Sequence, residues 1–292
     1  MILHNTDRVL VQGITGKQGT FWTEQMQAYG TNVVGGVNPK KAGETHCGVP
    51  VYATAKEAAG FDVSVMFIPP GAALAAAEDA IEAGAKMVVI LTEHIPSHDV
   101  MRIHAAAKER GTRIVGPNTA GLVTPGECFV GIMPAFNDRV FKPGSVGVVS
   151  RSGSLGTLIC LNLVGAGFGE SAFIGIGGDP MIGTTTKDAL EAFENDPNTE
   201  AVVLVGEIGG GMEEEAAQFA ATMTKPVVSF IAGAAAPVGK KMGHAGAIVM
   251  GNQGSYASKR GALEQAGVTV VDTPSLIPEA LKQAMGSGRV IH

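Results

Sequence analysis

At 292 residues, with 45% hydrophobic residues, 16% charged residues and 41 glycines, the chain is long enough for two α/β domains. Its formal net charge of −6 argues against duplex nucleic acid and against a polybasic membrane anchor, so small molecules and proteins are the expected partners. Three cysteines without CxxC spacing predict reduced thiols in a cytoplasmic protein and no metal site. We expect no signal peptide and no transmembrane helix.

The N-terminal part of the chain alternates short β-branched runs with alanine-rich stretches, which is typical of parallel strands joined by helical crossovers. Gly30, Gly84 and Gly111 follow the three helical stretches, where a left-handed residue commonly ends a helix. The pattern predicts a Rossmann-like sheet with strands at residues 8–12, 32–37, 63–68, 87–91 and 113–115 and helices at 21–29, 72–83 and 99–110.

The periodicity fades into Pro- and Gly-rich sequence and then resumes, which predicts two domains joined by a connection. We place the first domain at residues 1–121, a linker at 122–142 and a second domain at 143–288. The second domain is predicted as another doubly wound, flavodoxin-like parallel sheet. Its strands are expected at 145–149, 172–176, 201–205, 227–231 and 268–271, with helices near 155–164, 186–194, 213–223, 256–266 and 275–285.

The first Gly-rich turn, Gly-Ile-Thr-Gly-Lys-Gln-Gly-Thr at 13–20, lies between a predicted strand and a predicted helix, where backbone N–H groups favour an anion. The position that holds an acidic residue in NAD-binding proteins is occupied here by Asn38-Pro-Lys-Lys41. These lysines favour the 3′-phosphate ADP of coenzyme A, or NADP, although they could also be a solvated pair. The loop at 91–93 faces the same edge, and capping a helix is its alternative role.

The second turn, Ser-Arg-Ser-Gly-Ser at 150–154, also leads from a strand into a helix and predicts a second anion site. Ser152 lacks the first glycine of a nucleophile elbow, which argues against a serine hydrolase. The chain has no Walker loop, so we expect it not to bind a nucleotide by itself.

His244 lies among small residues in a loop after the strand at 227–231, close to Lys240 and Lys241, and a structural role is its alternative when the loop is considered by itself. A neutral imidazole is a good nucleophile toward phosphorus when a carboxylate holds its other nitrogen. Glu207, just past the strand at 201–205, is the candidate for that role, and capping backbone amides is its alternative. The following acids, residues 213–215, are expected to be solvated at a helix start.

Further short motifs complete the pattern: Val-Gly-Gly-Val at 34–37, Gly-Pro-Asn at 116–118, Gly-Ile-Met-Pro at 131–134, Gly-Ile-Gly-Gly-Asp-Pro at 175–180, Gly-Glu-Ile-Gly-Gly at 206–210 and Met-Gly-His-Ala-Gly-Ala at 242–247. Together with the two turns, and in this order, they resemble the α-subunit of succinyl-CoA synthetases and related ligases. The resemblance covers nearly the whole chain.

This resemblance implies a CoA-binding domain, a ligase domain and a separate β-subunit with an ATP-grasp fold that binds ATP or GTP with Mg²⁺, in an αβ or α2β2 assembly. It implies that His244 is the phosphohistidine and that Glu207 steadies it. The implied CoA-binding residues are Thr15, Gly16, Lys17, Gln18, Lys41, Leu91, Thr92 and Glu93, and Ser152, Gly153 and Ser154 would hold phosphate. The implied reaction phosphorylates His244, transfers the phosphoryl group to an acid and ends with thiol attack on the acyl phosphate.

Thr157 stands where succinate-specific relatives carry a tyrosine, and Asn-Thr-Ala-Gly at 118–121 replaces their Asn-Cys-Pro-Gly. Loss of the large ring leaves room or a different hydrogen-bond donor near the acid. Within the class of succinate and related dicarboxylates and tricarboxylates, we therefore hypothesise a bulkier or hydroxylated acid such as malate, citrate or itaconate. Two other classes remain open at this point: a non-catalytic CoA-binding or sensing protein, and an NADP-linked oxidoreductase.

Overall fold

The computed structural model describes residues 1–58, 60–236, 243–249 and 254–286. Two seven-stranded sheets organise them. The first sheet has the order β3-β4-β2-β1-β5-β6-β7, and all its pairings are parallel except β3 with β4. Its strands are β1 Val9–Gln12, β2 Val33–Val37, β3 Thr45–His46, β4 Val49–Tyr52, β5 Val63–Met66, β6 Met87–Ile90 and β7 Arg113–Val115. Its helices are α1 Lys17–Tyr29, α2 Pro70–Glu82 and α3 Ser97–Arg110.

The central strands of this sheet are buried along their whole length, because helices cover both faces of a parallel sheet. In α2 the buried residues Ala73, Ala77 and Ala80 follow helical spacing and allow close packing on the sheet. The predicted Rossmann-like architecture is confirmed. The sequence analysis missed β3 and β4, and it began the first helix four residues late, since Lys17 and Gln18 lie in the first turn of α1.

The second sheet is built mainly from five parallel strands: β10 Pro143–Ser150, β11 Glu170–Gly175, β12 Ala201–Glu207, β13 Val227–Ala232 and β14 Thr269–Val271. Five helices accompany them: α4 Gly153–Gly165, α5 Thr186–Asn195, α6 Met212–Ala220, α7 Tyr256–Gln265 and α8 Ile277–Gly286. The strand order is β14-β13-β12-β10-β11-β8-β9, which confirms the predicted second α/β unit.

Two strands lie in the segment that the sequence analysis treated as a linker. β8 Gly121–Thr124 and β9 Cys128–Gly131 form an antiparallel hairpin, and β8 pairs with β11 at the edge of the second sheet. Phe129 of this hairpin packs edge-on against Tyr29 of α1, with ring centroids 5.6 Å apart. The hairpin therefore joins the second sheet to the first domain, and one hydrophobic core includes residues of both. None of the helices in the described ranges combines the length and the hydropathy that a membrane-spanning segment requires.

Candidate active site

The turn after β1 is shaped by glycines that no other residue could replace without movement. Gly13 has φ +78°, and a Cβ on it would lie 2.4 Å from the carbonyl oxygen of Phe67. A Cβ on Gly19 would lie 2.2 Å from the Gly13 carbonyl oxygen. Helix α1 then starts after Gly16 without a side-chain cap from the described residues. Its first N–H groups and the positive end of its dipole are thus directed at the turn, which suits a phosphate.

Four of the residues predicted to bind CoA, Thr15, Gly16, Lys17 and Gln18, belong to this turn and the helix start. Lys17 and Gln18 are exposed, and Thr15 accepts a hydrogen bond from the side-chain amide of Asn38, which links the ends of β1 and β2. Lys41 is exposed just beyond Asn38, and its Nζ lies 3.1 Å from Oε1 of Glu44. An uncapped helix start flanked by flexible cations fits the phosphates of a CoA molecule.

The loop after β6 meets the same edge of the sheet. Leu91 and Thr92 are half-buried, whereas Glu93 is exposed. Thr92 donates its hydroxyl hydrogen to the Ile68 carbonyl and accepts the N–H of Asn118 on its own carbonyl oxygen at 3.0 Å. The loop is therefore held between the first domain and the segment that leads into the second.

The turn before α4 is capped, unlike the turn before α1. Ser152 is the N-cap residue, and its hydroxyl accepts the N–H of Leu155 at 3.3 Å. The hydroxyl oxygens of Ser152 and Ser154 lie 3.4 Å apart, and Ser154 is exposed. Thr157, one turn further, donates its hydroxyl to the carbonyl of Gly153 at 2.8 Å. The structure thus leaves Ser154 and the helix start available to an anion, while Thr157 is held by its own helix.

His244 and Glu207 meet as the sequence analysis expected. Nδ1 of His244 lies 2.8 Å from Oε2 of Glu207, at the carboxyl end of β12. The ring packs on the backbone of Gly178, where a Cβ would lie 2.5 Å from the ring. The side chain of His244 is 27% exposed and that of Glu207 only 10% exposed. With Nδ1 engaged by the carboxylate, Nε2 is the nitrogen left to react.

Three charged groups among the described residues affect the pKa of His244. The hydrogen bond that the Glu207 carboxylate accepts from the ring raises the pKa of His244, while partial burial lowers it. The Arg151 guanidinium also lowers this pKa, and Asp179, which accepts a hydrogen bond from Asn118 at 3.0 Å, raises it. Lys240 and Lys241, which we expected near a phosphorylated ring, lie outside the described residues.

Backbone hydrogen bonds connect the loop that carries His244, residues 243–249 in the described part (the histidine loop), to the loops beside it. The N–H of Gly246 donates to the carbonyl of Gly178, and the N–H of Gly178 donates to the carbonyl of Asn118. A cavity of about 440 Å³, lined in part by His94 and Ala245, opens between the loop that follows β6 and the histidine loop. The cavity therefore lies next to the residue that follows Glu93 and next to the residue that follows His244.

Sequence reasoning missed the charged residues beneath this pair. The guanidinium of Arg151 is 2% exposed, with Nη2 3.3 Å from Oε1 of Glu207. Glu213, predicted to be solvated, is fully buried, and its carboxylate contacts the ammonium of the buried Lys259. That prediction was wrong because an acid in the first turn of a helix can either face water or face inward, and only tertiary packing decides. Arg151, between two serines directly after a buried strand, was the one available signal.

Two family models match the chain. One, described as CoA binding domain, matches residues 4–94, and the other, described as CoA-ligase, matches residues 149–269. The first covers the glycine turn and the second covers the serine turn, Glu207 and His244. Fold, site and matches together define a CoA-dependent acid–thiol ligase. No support remains for a CoA-binding protein without a ligase domain.

Relatives over the full length define the family. The chain is 50% identical over 290 residues to a succinate–CoA ligase [ADP-forming] subunit alpha of Methanothermobacter thermautotrophicus, covering 98% of each chain. It is 47% identical to the malate–CoA ligase subunit alpha of Methylorubrum extorquens, covering 91% of this chain and 92% of that one. The chain belongs to the succinate–CoA ligase α-subunit family, so a β-subunit partner is implied.

Other similarities extend the range of the family. The chain is 43% identical to a subunit of an ADP-forming sulfoacetate-CoA ligase of Bilophila wadsworthia, covering 98% of this chain and 99% of that one. Its fold matches an ATP citrate lyase of Methanosaeta concilii with a TM-score of 0.88 and 24% identity, over 98% of this chain and 51% of that chain. This structural similarity supports the fold alone.

Proposed function

We propose that this chain is the catalytic α-subunit of a nucleoside-triphosphate-dependent, NDP-forming acid–CoA ligase, in which His244 carries the phosphoryl group. The observation that supports this most directly is the 2.8 Å contact between Nδ1 of His244 and Oε2 of Glu207. A carboxylate at this distance favours the tautomer in which Nδ1 carries the proton and Nε2 carries a lone pair.

The proposed reaction has three steps. Nε2 of His244 attacks the terminal phosphorus of ATP or GTP, and the nucleoside diphosphate leaves. A carboxylate oxygen of the acid then attacks that phosphorus, and the neutral imidazole leaves. Finally, the CoA thiolate attacks the acyl carbon, and inorganic phosphate leaves. Glu207 stabilises the ring while its charge changes, because the carboxylate accepts the Nδ1–H throughout.

The proposed roles of the other residues follow their positions. Thr15, Gly16, Lys17, Gln18 and Lys41, with Leu91, Thr92 and Glu93, would bind CoA, which supplies the thiol. Ser152, Gly153 and Ser154 would hold phosphate, because the first N–H groups of a helix such as α4 favour an anion. Arg151, which precedes them, contacts Glu207, the residue that orients His244. Magnesium nucleotide would bind to an ATP-grasp β-subunit, and we place the assembly in the cytoplasm, in accord with three free cysteines.

Labelling the α–β complex tests the phosphoryl-carrier role. With γ-labelled ATP or GTP, the wild-type chain should acquire an acid-labile phosphate, and His244→Asn should acquire none. His98→Asn, an exposed histidine on α3, is the matched control and should label like the wild type. Label that persists in His244→Asn, or a wild-type complex that never labels, contradicts the proposal. The second outcome would favour the CoA-binding or sensing alternative.

We further propose that the acid is bulkier than succinate or hydroxylated, such as malate, citrate or itaconate. The resemblance implies a tyrosine in succinate-specific relatives at the position of Thr157, whose hydroxyl is bonded within its own helix. Kinetics of the purified α–β complex with succinate, malate, citrate, itaconate and sulfoacetate test this. A clear preference for succinate would contradict it, and Thr157→Tyr should shift kcat/KM toward succinate whereas Thr157→Ser should not.

A further inference from the structure

A chain of buried charges extends from Glu207 away from His244. Arg151 binds Glu207 through Nη2, and its Nη1 lies 3.8 Å from Oε1 of Glu213. The other oxygen of Glu213 contacts Nζ of Lys259, and both side chains are fully buried. Ions removed from water are costly unless each is paired, so this arrangement constrains every member of the chain.

Glu213 acts on Glu207 in a second way. Its Oε1 accepts the backbone N–H of Glu207 at 3.3 Å, so one carboxylate holds both the backbone of Glu207 and the cation that binds its side chain. Lys259 in turn lies 3.5 Å from Oε2 of Glu214, whose Oε1 accepts the hydroxyl of Ser258 at 3.0 Å. The contacts join β12, α6 and α7 behind the histidine.

We infer that Lys259 and Glu213 are positioning residues for phosphoryl transfer, which act through Arg151 to hold the Glu207 carboxylate against His244. The inference rests on the proposed function of His244. An ion pair that only packed α6 on α7 would need neither Arg151 nor the backbone N–H of Glu207. Here both contacts converge on the one residue that orients the histidine.

The sharing of Arg151 between two carboxylates gives a distinctive expectation. In Glu213→Gln, Arg151 would pair with Glu207 alone, so Glu207 would attract a proton on His244 less strongly. In Lys259→Met, Glu213 would lose its cation and draw Arg151 from Glu207. The His244 pKa should therefore fall in the first variant and rise in the second. Among the described residues, Glu207, Arg151 and Asp179 are the charged groups facing the ring, and neither substitution replaces one of them.

The test uses the full chain with isotope-labelled histidine, and the His244 signal is assigned from its loss in His244→Asn. NMR titration of wild type, Glu213→Gln and Lys259→Met should give opposite displacements of the His244 pKa. Glu215→Gln removes the same charge from an exposed position of α6 and should leave the titration unchanged. Displacements of the same sign, no displacement in folded variants, or an equal displacement in Glu215→Gln would overturn the inference.

The double variant Glu213→Gln/Lys259→Met covers the case in which a single variant does not fold, because it leaves no unpaired buried ion in this pair. In the α–β complex it should lower kcat for phosphorylation about 10-fold, with the nucleotide KM unchanged. A folded double variant with wild-type kcat would overturn the inference. Failure of the wild type to label would instead count against the proposed function, while the titration result would still stand.

Discussion

Two buried glutamates lie at opposite ends of the parallel strands of the second sheet. Comparing them shows what the loops at the carboxyl ends of the strands contribute to the charge state of a buried acid. Glu207 is at the carboxyl end of β12, between a guanidinium and an imidazole. Glu170 is at the amino end of β11, where its Oε2 accepts the N–H of Lys142 at 3.1 Å. Within the described part of the chain, no cation pairs with Glu170, and burial raises its pKa to about 8. Burial alone gives a carboxyl group that tends to be neutral, whereas the loops of the carboxyl edge give Glu207 charged partners.

Glu207→Gln should have the largest effect on this comparison. The amide cannot balance the charge on His244, so the phosphorylation rate should fall about 100-fold or more. The pKa of His244, raised mainly by Glu207, should fall, which moves the acidic limb of the rate profile to lower pH. The rate of label uptake against pH measures both changes. Glu109→Gln, an exposed acid of α3, should reproduce the wild-type profile, and an unchanged rate in Glu207→Gln would disprove the orienting role.

Gly19→Ala tests the carboxyl edge of the first sheet. The new Cβ would meet the Gly13 carbonyl oxygen, so the turn must open, at a cost of about 1–3 kcal/mol in the free energy of unfolding. CoA affinity, measured by calorimetry, should fall with it. Gly261→Ala is the matched control, since its Cβ meets nothing within 4 Å inside α7 and should add about 1 kcal/mol of stability. Wild-type CoA binding in Gly19→Ala would show that the turn does not hold the ligand.

Glu170→Gln tests the effect of burying an acid at the amino end of β11. The pKa of this carboxyl is near 4.5 in the unfolded chain and about 8 in the folded chain. Its favourable contribution to the free energy of unfolding is therefore fully present below about pH 4.5 and is lost as the pH rises to about 8. The amide removes that dependence and should stabilise the protein by a few kcal/mol above pH 8, measured by urea unfolding at several pH values. Label uptake should stay at the wild-type level. A Glu170→Gln profile that still falls between these pH values would show that other groups cause the loss.

Much of the fold could be predicted because its signals are local. Buried parallel strands read as short apolar runs, and Gly30, Gly84 and Gly111 all have positive φ after their helices, as expected. The β8–β9 hairpin could not be predicted in this way, because its glycines and prolines hide the alternation and its partner, β11, comes much later in the chain. Its pairing depends on tertiary contacts, which the local sequence does not show.

The candidate site likewise has one part that the local sequence predicts and another that only tertiary packing determines. The contact between His244 and Glu207 could be predicted because Glu207 ends β12 and His244 comes after β13 in the chain, and the carboxyl ends of both strands lie on the ligand-bearing edge. The inward turn of Glu213 could not, because its neighbours Glu214 and Glu215 have the same local sequence signal and only Glu213 is fully buried. What decides is the ammonium of Lys259, which comes from a helix 46 positions further along the chain.

Lys41→Met should have the smallest effect and separates the ligand's phosphates. Lys41 is exposed and paired with Glu44, so an ion pair between it and the 3′-phosphate should contribute less than ~1 kcal/mol, and CoA affinity should fall only about threefold. Dephospho-CoA, which lacks that phosphate, should bind wild type and variant equally. Lys108→Met, an exposed lysine on α3, should change neither affinity. An equal loss for both ligands would place Lys41 at the pyrophosphate instead, since only contact with the 3′-phosphate can distinguish the two molecules, and added salt should weaken that contact further.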